Sequence, residues 1–259
     1  MMNLNKVRPL VEEWARQVGE IQLRYFRSAD LEIATKYNDF DVVTRADKES
    51  EALIISKINE TFPDHDILAE ESGEYSRQSS WRWVIDPLDG TTNFSQGLPL
   101  FCVSIALEHD GEPVVGVVYA PYLNEMFSAV KGAGATLNGN PIHCSTKTTL
   151  NMAVVSTGLP VDKRENRDNN LSAISKVGVE VRGLRRLGSA AIDLCYTGAG
   201  LLDGYWELAL HRWDISAGSL IASEAGATVG YFRYDRPYSI LAATPALYPE
   251  LHSLIAERT

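Results

Sequence analysis

The segment Trp83-Val84-Ile85-Asp86-Pro87-Leu88-Asp89-Gly90-Thr91-Thr92-Asn93-Phe94 constrains this chain more than any other. A short apolar run favours a buried strand, and it leads directly into two carboxylates spaced i, i+3. Pro87 has no N–H to give a β-ladder. The spacing therefore predicts a strand that stops at Asp86, then a corner where Asp89-Gly90-Thr91 opens a helix. At such a corner both acids can converge on one hard cation, and the free amides of Gly90 and Thr91 can hold phosphate oxygens. A plain turn with Asp89 as a helix cap uses the same residues. The apolar approach favours the cation, because each buried, unpaired carboxylate costs roughly several kcal/mol.

Composition sets the frame. A chain of 259 residues with 45% hydrophobic and 22% charged content is long enough for one large or two modest domains. No apolar run reaches the roughly 18 residues of a membrane helix, and the mixed-charge start through Glu12-Glu13-Trp14-Ala15-Arg16 is unlike a signal peptide. A cytoplasmic protein is expected. Cys102, Cys144 and Cys195 are scattered and form no Cys-x-x-Cys pair, so they are expected as small core residues and not as disulfides or a zinc site. A formal charge of −10, with no basic stripe, disfavours nucleic-acid binding.

Val7, Leu10, Val11, Trp14, Val18 and Ile21 recur at helical spacing. Residues 34–41 read as a loop or loose hairpin, and a second helix runs from near Thr44 to Phe62-Pro63. The stretches 103–107 and 114–119 form a hairpin about Asp110-Gly111, and Asn138-Gly139 makes another tight turn. Beyond about residue 145, strands at 153–156, 181–187 and 204–210 alternate with helices at 170–176, 189–197 and 215–225, before a final helix at 247–257. The expected architecture is a mixed α+β and α/β layered sandwich of two closely packed subdomains, residues 1–145 and 146–259.

Three further acidic spots stand out. Glu70-Glu71-Ser72 follows a short apolar stretch, where a solvated turn is the ordinary alternative. Thr44-Arg45-Ala46-Asp47 has the form of a capping box, which leaves open whether Asp47 also does chemistry. Asp214, in His211-Arg212-Trp213-Asp214-Ile215-Ser216-Ala217-Gly218, lies at a helix N-terminus, where capping is again the plain reading. The haloacid-dehalogenase scheme, Asp-x-Asp-Gly-Thr with a nucleophilic first Asp, is rejected. Here the acids are one residue further apart, and proline follows the first.

Together these fragments resemble the inositol monophosphatase family. Residues 86–94 are similar to its first signature and 213–218 to its second, with Thr44–Asp47 and Glu70-Glu71-Ser72 in the right order ahead of the first. The resemblance spans nearly the whole chain. It implies the sugar-phosphatase fold of alternating α-β-α-β-α layers and hydrolysis of a small phosphate monoester, foremost myo-inositol monophosphate, without a phosphoenzyme. It also implies two or three Mg²⁺ ions held by Glu70, Asp86, Asp89, Asp214 and the Leu88 carbonyl, with lithium sensitivity. Thr91 paired with Asp47, beside Glu70, would activate water, and Gly90 and Thr91 would bind phosphate. Asp89, Gly188, Ser189, Ala190, Glu207 and Asp214 would meet the polyol. Lys36 would sit in a mobile loop, and His143 and His211 would be structural or surface residues. Fructose-1,6-bisphosphatase, 3′(2′),5′-bisphosphate nucleotidase and histidinol-phosphate phosphatase activities occur on the same fold, and a non-catalytic metal-binding relative is the remaining alternative. Partners are expected to be the phosphorylated polyol and a second copy in a homodimer, without nucleic acid or membrane.

Overall fold

The computed structural model describes residues 2–28, 31–35 and 42–256. It opens on helix α1 (Leu4–Tyr25), strands β1 (Ala34–Thr35) and β2 (Val42–Val43), and helix α2 (Arg45–Thr61). Strands β3 (Asp66–Ala69), β4 (Gly73–Tyr75) and β5 (Trp81–Asp89) lead through a short helix α3 (Thr91–Ser95) to β6 (Cys102–His109), β7 (Glu112–Ala120), β8 (Glu125–Val130), β9 (Ala135–Leu137) and β10 (Asn140–Pro141). Then follow β11 (Val154–Thr157), α4 (Leu171–Glu180), β12 (Gly183–Arg185), α5 (Ala190–Gly198), β13 (Gly204–Glu207), α6 (Arg212–Glu224), β14 (Thr228–Arg233), β15 (Ser239–Ala243) and α7 (Tyr248–Ala256).

Two sheets organise the chain. The larger has the order β10-β9-β8-β7-β6-β5-β3-β4 and the smaller β12-β11-β13-β15-β14. The larger is antiparallel except where β3 runs parallel to β5, and in the smaller β11 runs parallel to both neighbours. Alternation along the strands sorts side chains to opposite faces. Trp83, Ile85, Ile105 and Val117 pack with Val11, Trp14 and Ile54 of α1 and α2, while Val84, Ala106 and Val118 pack with Ile192, Cys195, Ala217 and Ile221 of α5 and α6. In the smaller sheet Tyr205 and Ile240 face Leu194 and Ile215 of those same two helices, whereas Trp206 and Leu241 face Val177 and Leu251 of α4 and α7. The layers therefore run helices, large sheet, helices, small sheet, helices, as expected. Each fully buried aliphatic side chain contributes about 1.5–3 kcal/mol to this stack.

The expected end of β5 is corrected. The strand does not stop at Asp86 but continues to Asp89. Asp86 pairs with Ser104 and Asp89 with Cys102, so β5 carries one residue more than β6 between these pairs. Pro87 cannot donate to the ladder, and a bulge absorbs the break instead of ending the strand. Helix α6 starts at Arg212, not Ile215, because Asp214 reaches back to accept from the His211 amide at 2.6 Å. The strand expected over 204–210 ends at Glu207, and the one over 181–187 is confined to Gly183–Arg185. Cys102 and Cys195 are buried, but Cys144 follows the last strand of the large sheet and is only half-buried; all three are free thiols.

Helix α6 lies close to the large sheet. A Cβ on Gly116 of β7 would come within 2.8 Å of the Ala217 carbonyl oxygen. Only a residue without a side chain permits this approach. Glu108 of β6 fixes the same helix from its N-terminal end, accepting from Arg212 Nε at 2.8 Å and Ser216 Oγ at 2.7 Å.

Candidate functional site

The parallel pairing of β3 and β5 sets two acids side by side. Ala69 is the register partner of Ile85, and the Glu70 amide donates to the Ile85 carbonyl at 3.2 Å, so Glu70, just past the end of β3, stands beside Asp86 at the start of the β5 bulge. The Glu71 amide donates to Glu51 at 2.8 Å, which pins the turn beyond Glu70. The bulge is held from behind by α1, where the buried Gln22 amide donates to the Pro87 carbonyl at 2.8 Å. It is held from within by the Leu88 amide, which donates to Asp86 Oδ1 at 3.0 Å. Asp89 Oδ2 accepts from Ser189 Oγ at 2.6 Å and from the Ala191 amide at 2.7 Å, which fastens α5 to the end of β5. Ser104, the register partner of Asp86, donates to the Trp213 carbonyl at 3.4 Å and so carries the first turn of α6, with Asp214, to the same strand ends.

The carboxylates act on one another. Burial, and then Glu70, Asp89 and Asp214, hold Asp86 well above the usual carboxylate range. Asp89 is pushed up to about 7, by burial first and then by Asp214, against the pull of its donors Ser189 and Ala191. Segments separated by more than a hundred residues thus share one electrostatic centre.

Thr44 caps α2 in the capping box expected from its sequence. The Thr44 amide donates to Asp47 Oδ2 at 2.8 Å, as does the Thr44 hydroxyl at 2.6 Å. The other carboxylate oxygen is turned elsewhere, since Thr91 Oγ1 lies 3.2 Å from Asp47 Oδ1. Thr91 Oγ1 is also 2.9 Å from the Leu88 carbonyl. A hydroxyl has one proton to donate, so it serves one of these acceptors at a time and keeps lone pairs for a further donor.

Two adjoining cavities share this centre. One, of about 180 Å³, is lined by Glu70, Asp86, Leu88, Asp89, Thr91 and Asp214, with Gly90, Thr92, Val161, Arg186 and Gly188. The other, of about 350 Å³, begins at Glu70, Asp89 and Asp214 and extends past Gly188, Ser189, Ala190 and Glu207. Glu207 is pushed up to about 7, by burial first; Tyr205 works against this and Asp214 with it. Every site residue named from the sequence except two lines one of these cavities. Asp47 reaches the site through Thr91, and Lys36 lies outside the described residues. His211 is exposed, lines the rim of the larger cavity and stacks on Trp213, and His143 is exposed.

The sequence matches the inositol monophosphatase family over residues 3–258. The chain belongs to this family. An inositol-1-monophosphatase of Synechocystis is 45% identical over 223 residues, which cover 83% of this chain and 77% of that protein. The Nus factor SuhB of Vibrio cholerae is 42% identical over 236 residues, 89% of this chain and 88% of that protein. The solved structure of an inositol monophosphatase from Anabaena superposes with a TM-score of 0.88 at 37% identity, covering 98% of this chain and 96% of that one. Both cavities and all of their lining residues fall inside the matched region.

Reading the sequence missed several residues of this inositol monophosphatase family site. Arg186 lines both cavities, yet an arginine beside Arg185 reads as ordinary surface. Tyr205 donates to Glu207 at 2.8 Å; the i, i+2 spacing on one strand was the available signal. Asp193 lines neither cavity but is buried near the centre, and burial first, opposed by Ser156 and joined by Glu207 and Asp89, holds its carboxyl well above the usual range.

The donor set suits a hard divalent cation. It is all oxygen, and its like charges crowd a pocket in which Arg186 is the one lining cation common to both cavities among the described residues. Among the described residues no three His, Cys, Asp or Glu side chains are already gathered into a ligand cage. No helix among the described residues is long and apolar enough to cross a membrane.

Proposed function

We propose that this chain is a Mg²⁺-dependent phosphoric monoester hydrolase that cleaves a small phosphorylated polyol, foremost myo-inositol monophosphate, by direct attack of water on phosphorus. One observation carries the reading: Glu70, Asp86, Asp89 and Asp214 come from three separate stretches of chain and act electrostatically on one centre, beside the Thr91–Asp47 pair.

In this reading Glu70, Asp86, Asp89, Asp214 and the Leu88 carbonyl hold two or three Mg²⁺ ions. When bound, such ions lower the pKa of water and neutralise phosphate charge. The chain's own residues do the rest. Thr91 accepts a hydrogen bond from the attacking water and passes its own proton toward Asp47 Oδ1, which lies 3.2 Å away. Asp47 can take that role because its other oxygen is occupied by Thr44. The backbone at Gly90 and Thr91 faces the smaller cavity, where it binds phosphate oxygens. Asp89, Asp214, Glu207 and the turn at Gly188, Ser189 and Ala190 line the larger cavity and receive the hydroxyls of the leaving alcohol. Catalysis by water needs no protein nucleophile and forms no phosphoenzyme.

Residues 1–145 and 146–259 act as two subdomains in a cytoplasmic homodimer, sensitive to lithium. The name Nus factor belongs to the SuhB relatives. The filled acidic set favours catalysis in this chain over a purely binding role. Release of inorganic phosphate from inositol 1-phosphate, with Mg²⁺ and with chelator, tests the reading. Magnesium-dependent release supports it. Silence toward inositol, fructose, glycerol and nucleotide phosphates alike would overturn it in favour of a non-catalytic relative.

A further inference from the structure

The Glu207 carboxylate is held from two sides. On β13, Tyr205 and Glu207 are two residues apart and lie on one face of the strand, and the fully buried Tyr205 hydroxyl donates to Glu207 Oε2 at 2.8 Å. Across the cavity the carboxylate rests on Gly158. A Cβ built there would fall on the carboxylate group itself, against Oε1, Cδ and Oε2. Gly158 is not in the left-handed region, so its backbone alone does not call for glycine. The space that its side chain would fill is taken by the carboxylate.

The wall that carries Gly158 is itself anchored. Asn170, buried and at φ 74° at the start of α4, donates to the Gly158 carbonyl at 2.6 Å and to Thr157 Oγ1 at 2.8 Å. It also accepts from Trp206 Nε1 at 2.8 Å, and Thr157 Oγ1 donates to the Trp206 carbonyl at 2.6 Å. Strand ends β11 and β13 are thereby locked at the height of the carboxylate. With Oε2 bound to Tyr205 and one face covered by Gly158, Oε1 receives no protein hydrogen-bond donor among the described residues, and the carboxylate lines the larger cavity. A fixed, half-buried acceptor rewards a donor placed opposite it and penalises a ligand that leaves it unmatched.

We propose that Tyr205 and Gly158 form a clamp that fixes Glu207 as a hydroxyl acceptor, so that the pocket selects phosphate esters whose alcohol carries a hydroxyl over esters that carry none. The proposal rests on the phosphatase reading and adds to it two positioning residues, Tyr205 behind the carboxylate and Gly158 in the cavity wall beside it.

The test compares wild type, Tyr205→Phe and Gly158→Ala in Mg²⁺ with two substrates, inositol 1-phosphate and phenyl phosphate, whose alcohol has no further hydroxyl. Each variant should raise KM for the inositol ester about tenfold, the size of one hydrogen bond lost or misdirected, with kcat within about twofold and phenyl phosphate kinetics unchanged. Equal losses on both esters, or no change on either, would overturn the clamp. Calorimetric titration of the inositol ester separates the two readings. If wild type hydrolyses neither ester, the phosphatase reading falls. The clamp then stands only if wild type binds inositol 1-phosphate more tightly than Tyr205→Phe, and falls with it if the two bind alike.

Discussion

Thr91 and Asp47, 44 positions apart in sequence, meet with Thr91 Oγ1 3.2 Å from Asp47 Oδ1, while the second oxygen of the same carboxylate serves as a helix cap for Thr44. One aspartate therefore does two jobs, and its capping function fixes the oxygen that faces the site.

The first expectation concerns that pair. Thr91→Ala removes the hydroxyl between water and Asp47 and should lower kcat by about 10²–10⁴, the range for loss of a positioned proton acceptor. Thr91→Ser keeps the hydroxyl and should retain most activity. Steady-state rates on inositol 1-phosphate decide this, and an active Thr91→Ala would remove the pair from the chemistry.

Asp89→Asn should abolish turnover and leave the fold intact. It removes charge without volume, and the amide oxygen can still accept from Ser189 and Ala191, which now donate at 2.6 and 2.7 Å. Thermal melts with chelator should show the variant at least as stable as wild type, because one buried repulsion is gone. Retained hydrolysis would exclude Asp89 from the metal centre.

The metal-free protein should lose stability as pH rises. Asp89 and Glu207 are pushed up to about 7 and Asp86 is held high as well, against an ordinary value of about 4 in the unfolded chain. The folded state therefore binds extra protons between those limits. Their stabilising contribution is complete below about pH 4 and is lost as pH climbs through about 7. Melting temperatures in chelator should fall from pH 5 to pH 8, and added Mg²⁺ should raise them more at pH 8. A flat profile would contradict the buried acidic centre.

Gly90→Ala should destabilise the fold by roughly 1–3 kcal/mol, since the residue adopts φ 90° and its new Cβ would meet the Leu100 carbonyl oxygen at 2.8 Å. Urea denaturation measures the loss, and an unchanged midpoint would mean that the turn adapts freely.

Much of this architecture was legible locally. The helical spacing of α1, the hairpin of β6 and β7 and the Thr44 capping box depend on residues a few positions apart, and all three form as expected. Long-range pairing was harder to read. Proline's inability to join a ladder predicts a stop at Asp86, yet the chain absorbs it with a bulge, which depends on β6 lying alongside. Tyr205 in an apolar strand reads as core, and it is fully buried; its hydroxyl acquires a purpose only when Glu207 turns back beside it. Gly158 gives no signal at all until the carboxylate that occupies its missing side chain is in place.

The close seat of Ala217 over Gly116 has a consequence for how such a pocket can drift over time. Asp214 lies less than one turn before Ala217, so a single methyl added at position 116 would act as a wedge beneath the lever that carries it. The position of Asp214 is thus written partly on the far side of a helix, at a residue that lines neither cavity.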